Sequence, residues 1–498
     1  MLKSEAGRFF LGAIYSVGGR FFSRIVGLAS TVVLARVLTP DDYGIVAIGM
    51  IVLNFCQSLI DTGKGQYIIK SEVVSDGLVN TAWTLGLVLN GAVIVFIVAS
   101  SASIAAFFRM PEAHAVIVVM SLTLLLDSLA NPGVALLERE QKYENIFRAG
   151  LIVKSLTAIV VVITALLTRS YWALVLGSLL ASLFGCIASY VIHPHRPQFS
   201  WENARDQWLF SKWLLFGSIF GFARSQFDTG LVGRVHETSE VGAYHNMKYL
   251  GTLAATQIVL PALSPLLATI SKSRDTQAVF KHQIEVVFLV IASSIWPLSW
   301  YMYHFAEDIV YLVLGSQWTV YAGLFGYLAL LSFPLCYARL TGIIATTHGK
   351  TDWLFIYNVV TFVLLGGALL YVMDQPVEFI ALTRLAVDVV ISMILFLTVA
   401  HILAGISPIR LTYLMMLPTV ACFASLALTE ALGVFLGQTY PFMVFVLESM
   451  LFGVFYGGIF LLIARLFYQR DPVTQHIVFL IRSAIQQVLS AMPKIQRR

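Results

Sequence analysis

Apolar residues in this chain come in long blocks, with the polar ones gathered into short breaks between them. Crossing a hydrocarbon core of about 30 Å takes roughly 20 apolar residues of helix. Runs of about that length recur fourteen times, at 12–37, 44–61, 80–107, 115–136, 146–167, 171–192, 213–233, 242–270, 284–306, 320–346, 354–373, 377–403, 411–434 and 441–467. The pattern predicts an all-α polytopic membrane protein with about 14 transmembrane helices. The first run carries Arg20 and Arg24 and lacks a small-residue cleavage site, so it reads as a retained helix and not as a signal peptide.

The breaks differ in charge from one side to the other. An even number of spans puts both ends on one side, and breaks on that side hold most of the Lys and Arg, among them Lys64, Lys70, Arg139, Lys142, Arg148, Lys154, Arg196, Lys281, Lys350 and Arg410. The opposite breaks hold only Arg109, Arg169 and Arg234, with acids at Asp41, Asp42, Glu112, Glu237, Glu240, Glu307, Asp308, Asp374 and Glu378. The positive-inside rule makes the first side cytoplasmic, and with it both termini.

Composition narrows the function. The chain has 498 residues, of which 58% are hydrophobic and 12% charged, against roughly 25% charged in soluble domains. With a mean hydropathy of +0.82 and a net charge of only +5, it fits neither a soluble enzyme nor a nucleic-acid binder. Cys56, Cys186, Cys336 and Cys422 are scattered without paired spacing, so neither a disulfide framework, a metal site nor a cofactor is expected. The inter-helix loops are too short for a catalytic domain. Beyond Arg470, Ile477, Ile481, Ile485 and Val488 share one helical face opposite Arg482 and Gln486, so 469–498 is expected to form an amphipathic tail on the cytoplasmic surface.

The exit of the first span reads Leu34-Ala35-Arg36-Val37-Leu38-Thr39-Pro40-Asp41-Asp42-Tyr43-Gly44, and it is echoed at 232–242, where Arg234-Val235 and Gly242 keep the spacing of Arg36-Val37 and Gly44. Both lie at the end of the first span of a six-span set. The echo predicts two parallel six-helix repeats, at 1–200 and 201–405, followed by two further spans at 406–468. Locally, Thr39 suits the cap of the next helix, Pro40 its first position, and Asp41 and Asp42 its positive end.

Charges inside spans carry the candidate chemistry. A cation exposed to lipid costs at least roughly 2.5–3.5 kcal/mol, so an intramembrane one faces a partner or a wet cavity. Arg20 and Arg24 share a helical face, whereas Arg224 with Asp228 and Arg384 with Asp388 have the spacing of internal ion pairs. Arg20, Arg24, Lys248 and Arg339 have no acid at helical spacing, and mid-span acids are few: Asp127, Asp228 and Asp388, with Asp61 nearer an end. A cationic lumen favours an anionic cargo such as a diphosphate, whose oxygens match arginine forks. Asn54, Gln57, Asn90, Asn131, Asn246 and Gln257 either line that lumen or stitch helices together. Pro132, Pro261, Pro265 and Pro334 mark expected bends, and His304 and His401 are expected at interfaces.

The block from Leu34 to Gly44, continued by Ile45-Val46-Ala47 and by Asp61-Thr62-Gly63, resembles the polysaccharide-transport branch of the multidrug, oligosaccharidyl-lipid and polysaccharide exporter superfamily. Leu137-Glu138-Arg139 before Tyr143 and Phe147 resembles that family's connection between the fourth and fifth spans. The resemblance implies two six-helix bundles around a central cavity, working by alternating access in a bacterial inner membrane. It implies a flippase for undecaprenyl-diphosphate-linked sugar repeat units or an exporter of exopolysaccharide, beside polysaccharide polymerase or other assembly proteins. The family's cavity arginines match Arg20 and Arg24, and its cations in the seventh and eighth spans match Arg224 and Lys248. Arg339 joins them on the cationic-lumen reading, with Asp127, Asp228 or Asp388 as candidates for coupling to a proton or sodium gradient.

Other readings fit less well. A peptidoglycan-precursor flippase or a drug antiporter shares the superfamily, but the cationic first bundle differs from the acid-lined one of drug extruders. A polytopic glycosyltransferase would place acids such as Asp41 and Asp42 in the first outer loop, yet it needs a sizeable outer domain. Gly349-Lys350-Thr351 lacks the earlier glycine of a phosphate-binding loop, because residue 344 is Ile344.

Overall fold

The computed structural model describes residues 22, 25–60, 74–140, 142–202, 204–261, 270, 273, 276–436, 441–479 and 483. Among them run seventeen helices, besides a short helical stretch at 472–479, and no strand. They are α1 (Ile25–Val37), α2 (Pro40–Ile60), α3 (Asp76–Phe107), α4 (Ala113–Leu129), α5 (Val134–Arg139), α6 (Tyr143–Thr168), α7 (Trp172–Ile192), α8 (Ala204–Val235) and α9 (Thr238–Ala254). There follow α10 (Gln277–His304), α11 (Ala306–Val313), α12 (Ala322–Leu330), α13 (Ser332–Thr347), α14 (Thr351–Tyr371), α15 (Val377–Ala404), α16 (Pro408–Leu436) and α17 (Pro441–Phe467). Nine segments of the described residues are long and apolar enough to span a membrane; one of them, Ser316–Thr347, joins a 3-10 turn, α12 and α13. Many of their apolar side chains face outward, as Leu167 and Val191 do, each 79% exposed. A helix apolar on its exposed face belongs in lipid, and the chain is an all-α multi-pass membrane protein.

Contacts gather the chain into two units. One comprises Met1–Asn246 with Val313–Thr319 and Leu369–Val377; the other comprises Met247–Leu312, Val320–Ala368 and Glu378–Arg498. In the first, α4 packs on α2, α3 and α7, and α2 also packs on α8. A strap at 193–202 is tied along the start of α3. Asn80 Oδ1 accepts from the Gln198 amide at 3.2 Å, Thr84 Oγ1 from the Ser200 amide at 3.1 Å, and Trp83 packs on Phe199 at 5.4 Å.

In the second unit, α10 is the central helix, packed on α12, α13 and α16. Its Phe288 stacks on Phe396 at 5.4 Å and meets Tyr337 at 5.2 Å, within a core that also takes in Phe333, Ile295 and Leu414. At the other side of that core Arg410 forms ion pairs with Glu285 and Asp471, and the Asp471 carboxylate caps the following helical turn by accepting from the Thr474 amide at 2.8 Å. The expected tail is helical at 472–479; residue 483 apart, 480–498 lie outside the described residues.

Several expectations about the helices need correction. The apolar run 115–136 is not one span: α4 stops at Leu129 and a turn separates it from α5. The helical region is disfavoured for the residue before a proline, and Asn131, which precedes Pro132, instead donates through Nδ2 to the carbonyls of His193 at 3.0 Å and His195 at 2.8 Å. Pro132 therefore ends a helix and does not bend one, and Asn131 is a stitch. Asn90 is also spent on its own helix, donating to the Gly86 carbonyl at 2.7 Å.

Pro334 lies in the first turn of α13, where a missing N–H is harmless. Pro261 follows a π-helical turn at Ala255–Val259, while Pro265 lies outside the described residues. Prolines inside helices are instead Pro297 in α10 and Pro418 in α16.

Candidate functional site

The first-span exit and its echo meet in space. At the start of α2, Thr39 Oγ1 donates to Asp42 Oδ2 at 2.8 Å and the Thr39 amide donates to the same oxygen at 2.9 Å, so the acid folds back over the helix start as the sequence predicts. At the start of α9, Glu240 Oε2 accepts from the Glu237 amide at 3.3 Å and lies 3.1 Å from His236 Nδ1. Asp42 and Glu240 are 198 residues apart, as are Thr39 and Glu237, and Arg36 and Arg234. The echo is thus one of capping geometry as well as letters.

Each helix start also has its own tie to a later loop. Asp42 Oδ1 accepts from the Tyr171 amide at 3.0 Å, and His236 Nε2 lies 3.1 Å from the Met373 carbonyl.

The two helix starts cross through their glycines. A Cβ on Gly44 would fall 2.0 Å from the Thr238 carbonyl oxygen, and one on Gly242 would fall 1.9 Å from that of Pro40. Pro40 stands to Gly44 as Thr238 stands to Gly242, so the contact is reciprocal. Only glycine lets two helix backbones approach this closely. Above the crossing, Trp318 Nε1 and Gln317 Nε2 donate to the Ala35 carbonyl at 2.8 and 2.6 Å, and Gln317 also reaches the Leu38 carbonyl at 2.9 Å. These bonds satisfy carbonyls at the end of α1 that no further turn of helix would take up.

Among the expected site cations, Arg20 and Arg24 lie outside the described residues. Arg224 on α8 and Lys248 on α9 are half-buried, and Arg339 sits on the exposed face of α13. Lys154 is a correction. The charge count assigns it to a cytoplasmic loop, but it lies eleven residues into α6, about 16 Å along the axis at 1.5 Å per residue. A Cβ on Gly27 of α1 would stand 3.9 Å from Lys154 Nζ. Gly27 follows Arg24 by three positions and Arg20 by seven, the spacing of one helical stripe.

The acids separate by environment. Asp388 is buried and accepts from Arg384 Nε at 2.7 Å, the internal ion pair its spacing suggests. Asp228 is fully buried and accepts from the Tyr244 hydroxyl at 2.9 Å. Asp127 is exposed in the last turn of α4 and not at mid-span, because that helix ends early. Asp61 is outside the described residues. Glu448, in α17, is a further acid within a span that sequence reasoning passed over; its oxygen stands where a Cβ on Gly433 would reach it, so α16 and α17 touch there.

Comparison with known proteins agrees with this architecture. A model of a polysaccharide biosynthesis protein family matches residues 33–323, more than half of the chain. The succinoglycan biosynthesis transport protein ExoT of Rhizobium meliloti (strain 1021) is 25% identical over 309 residues, covering 60% of this chain and 61% of that protein. The match thus spans about three fifths of the Rhizobium protein's length. The lipopolysaccharide biosynthesis protein WzxC of Escherichia coli (strain K12) is 21% identical over 349 residues, covering 67% of this chain and 69% of its own. Among solved structures, the lipid II flippase MurJ in an inward closed conformation superimposes with a TM-score of 0.72 at 13% identity, over 91% of this chain and 99% of that one. That likeness shows a shared fold.

Proposed function

The chain belongs to the polysaccharide biosynthesis protein family, and on that premise we propose that it flips saccharide precursors linked to a lipid diphosphate across a bacterial inner membrane by alternating access. The names of ExoT and WzxC, a transport protein and a lipopolysaccharide biosynthesis protein, support a saccharide cargo. No catalytic step is needed: the protein moves the cargo and does not transform it.

One observation carries the mechanism. Lys154 lies eleven residues into α6, its exposed side chain passing beside Gly27 of α1, and Gly27 is on the stripe that carries Arg20 and Arg24 in the sequence. A cation at that depth is costly in lipid and well placed to meet a diphosphate. Arg20, Arg24 and Lys154 bind the diphosphate from the first bundle, and Arg224, Lys248 and Arg339 from the second. The lipid tail stays in the bilayer.

The bundles are 1–200 and 201–405, joined by two further spans at 406–468, making fourteen in all with both termini cytoplasmic. Asp228, buried beside Tyr244, is the best placed of the three acids to carry a coupling proton or sodium ion. Asp388 is held by Arg384, and Asp127 is exposed at a helix end. Polysaccharide polymerase or another assembly protein works beside it.

The test is a reconstituted flipping assay with a lipid-diphosphate oligosaccharide, comparing the native chain with Arg20→Ala, Arg24→Ala and Lys154→Ala at matched expression and Tm. Flipping by the native chain and its loss in the variants is expected. Variants that flip as fast as native overturn the cationic mechanism, and a native chain that moves no cargo overturns the flippase reading.

A further inference from the structure

The cations on the acid-rich, cation-poor side of the protein are not scattered. Its outer breaks hold only Arg109, Arg169 and Arg234, and two of these three line a single cavity of about 740 Å3 within the first unit. Its walls are the end of α3 and the turn after it, the last turns of α8, and the end of α14 with the turn that follows it. Phe107, Phe108 and Phe227 make it aromatic, and Asp374 is its acid. The size falls in the range of small-ligand pockets, roughly 300–1,000 Å3.

The backbone of one arginine and the guanidinium of the other are held in place. Arg109 closes the α3 terminus in a left-handed conformation, φ 57°, with its amide donating to the Ala106 carbonyl at 3.1 Å. The Arg234 guanidinium stands over the Phe107 ring, 5.2 Å from its centroid. Stacking of this kind fixes the plane of the guanidinium and leaves its edge N–H donors able to form a fork. Neither arginine forms an ion pair with Asp374 or any other acid among the described residues. The cavity therefore keeps one net positive charge, and Phe107, 56% exposed, offers an aromatic surface beside it.

This combination suits a particular chemistry. The fork of an arginine matches a carboxylate or a phosphate oxygen pair, and the electron-rich face of an aromatic ring attracts the polarised C–H groups on the apolar face of a sugar ring. We propose that this cavity is a second saccharide site, on the face opposite the Lys- and Arg-rich loops, that receives an acidic sugar residue of the cargo as it leaves. Arg109 and Arg234 bind its carboxylate and Phe107 its ring. The proposal rests on the flippase reading for its cargo, and the cavity itself is independent of Arg20, Arg24 and Lys154.

The test uses the full chain in phosphatidylcholine nanodiscs and two probes, a trisaccharide ending in glucuronate and its counterpart ending in glucose, with binding read by saturation-transfer NMR titration. Native protein is expected to bind the acidic probe at least tenfold more tightly, a difference of about 1.4 kcal/mol. The double variant Arg109→Gln, Arg234→Gln loses that preference at unchanged Tm, and Phe107→Leu weakens both probes. Equal binding of the two probes by the native protein overturns the site, and this comparison needs no variant to fold. Displacement of the acidic probe by a short-chain phosphatidylglycerol, at concentrations where the probe itself saturates, also overturns it and makes the cavity a lipid-phosphate site. A native chain that prefers the acidic probe yet flips no lipid-diphosphate saccharide removes the flippase reading and keeps the site. A chain that flips but binds both probes alike does the reverse.

Discussion

Replacing Gly242 by alanine tests whether the two helix starts are held by backbone contact. The new Cβ would lie 1.9 Å from the Pro40 carbonyl oxygen and 2.6 Å from the Gly44 amide nitrogen, roughly 1.5 Å short of ordinary contact with the oxygen. Both partners are backbone, so no side chain can swing away, and α2 and α9 must part. Forcing extra atoms into a packed contact costs about 1–3 kcal/mol, against a gain of at most ~1 kcal/mol from alanine's better helix propensity. Gly242→Ala and Gly44→Ala are each expected to destabilise by about 1–2 kcal/mol, a fall of a few degrees in Tm.

The matched control is Gly91→Ala, since a Cβ there meets nothing within 4 Å; it should be neutral or slightly stabilising. One separation relieves both clashes, so the double variant Gly44→Ala, Gly242→Ala should cost less than the two single losses together, by at least ~0.5 kcal/mol. The assay is thermal unfolding in detergent at a fixed scan rate for the native chain and all four variants. Equal Tm values for Gly242→Ala and Gly91→Ala, or strict additivity in the double variant, would refute the reciprocal crossing.

Three further outcomes follow from local geometry. Arg384→Ala strands Asp388 in a buried site and should cost about 3–5 kcal/mol, whereas Arg384→Met with Asp388→Leu should recover most of it; Tm values of the three proteins decide. Thr39→Ala removes the cap of α2 and should lower stability by about 0.5–2 kcal/mol, with Thr39→Ser close to native in the same melt. Arg169 ends α6 at φ 47°, so Arg169→Gly should stabilise by about 1 kcal/mol, seen as a raised Tm; a lowered one would mean that its side chain matters more than its backbone.

The helical, membrane-spanning character was legible because the length of an apolar run reports directly on bilayer thickness. The capping block was legible too, since Thr39, Pro40 and Asp42 each bond or position within a few residues of themselves. Hydropathy misled at 115–136, where Val134–Leu137 continue the apolar run across a real helix end, and the Asn131-Pro132 pair was the signal that outweighs it. Lys154 was missed for a different reason: a count of cations near helix starts credits them to the adjacent loop although the run 146–167 already contains it, and the start of α6 at Tyr143 places it three residues deeper still. The shared offset of Asp42 and Glu240 was present in the letters, but a Glu in place of an Asp hides the match until the side chains are seen folding back alike. The cavity of Arg109 and Arg234 gathers residues from three distant stretches, and no periodicity along the chain brings those together.

The bonds from Gln317 and Trp318 to the end of α1 bear on the order in which the protein is made. Ala35 leaves the ribosome some 282 residues before Gln317 does, an interval of roughly 15–55 s at 5–20 residues per second. By contrast, the strap at 193–202 finds its partners at Asn80, Thr84 and Asn131 already synthesised. Helices α2 to α7 are therefore able to lock during translation, while the end of α1 stays open until Gln317 and Trp318 arrive. A ribosome stalled between residues 202 and 317 would display a protease-resistant strap and a still-labelable end of α1.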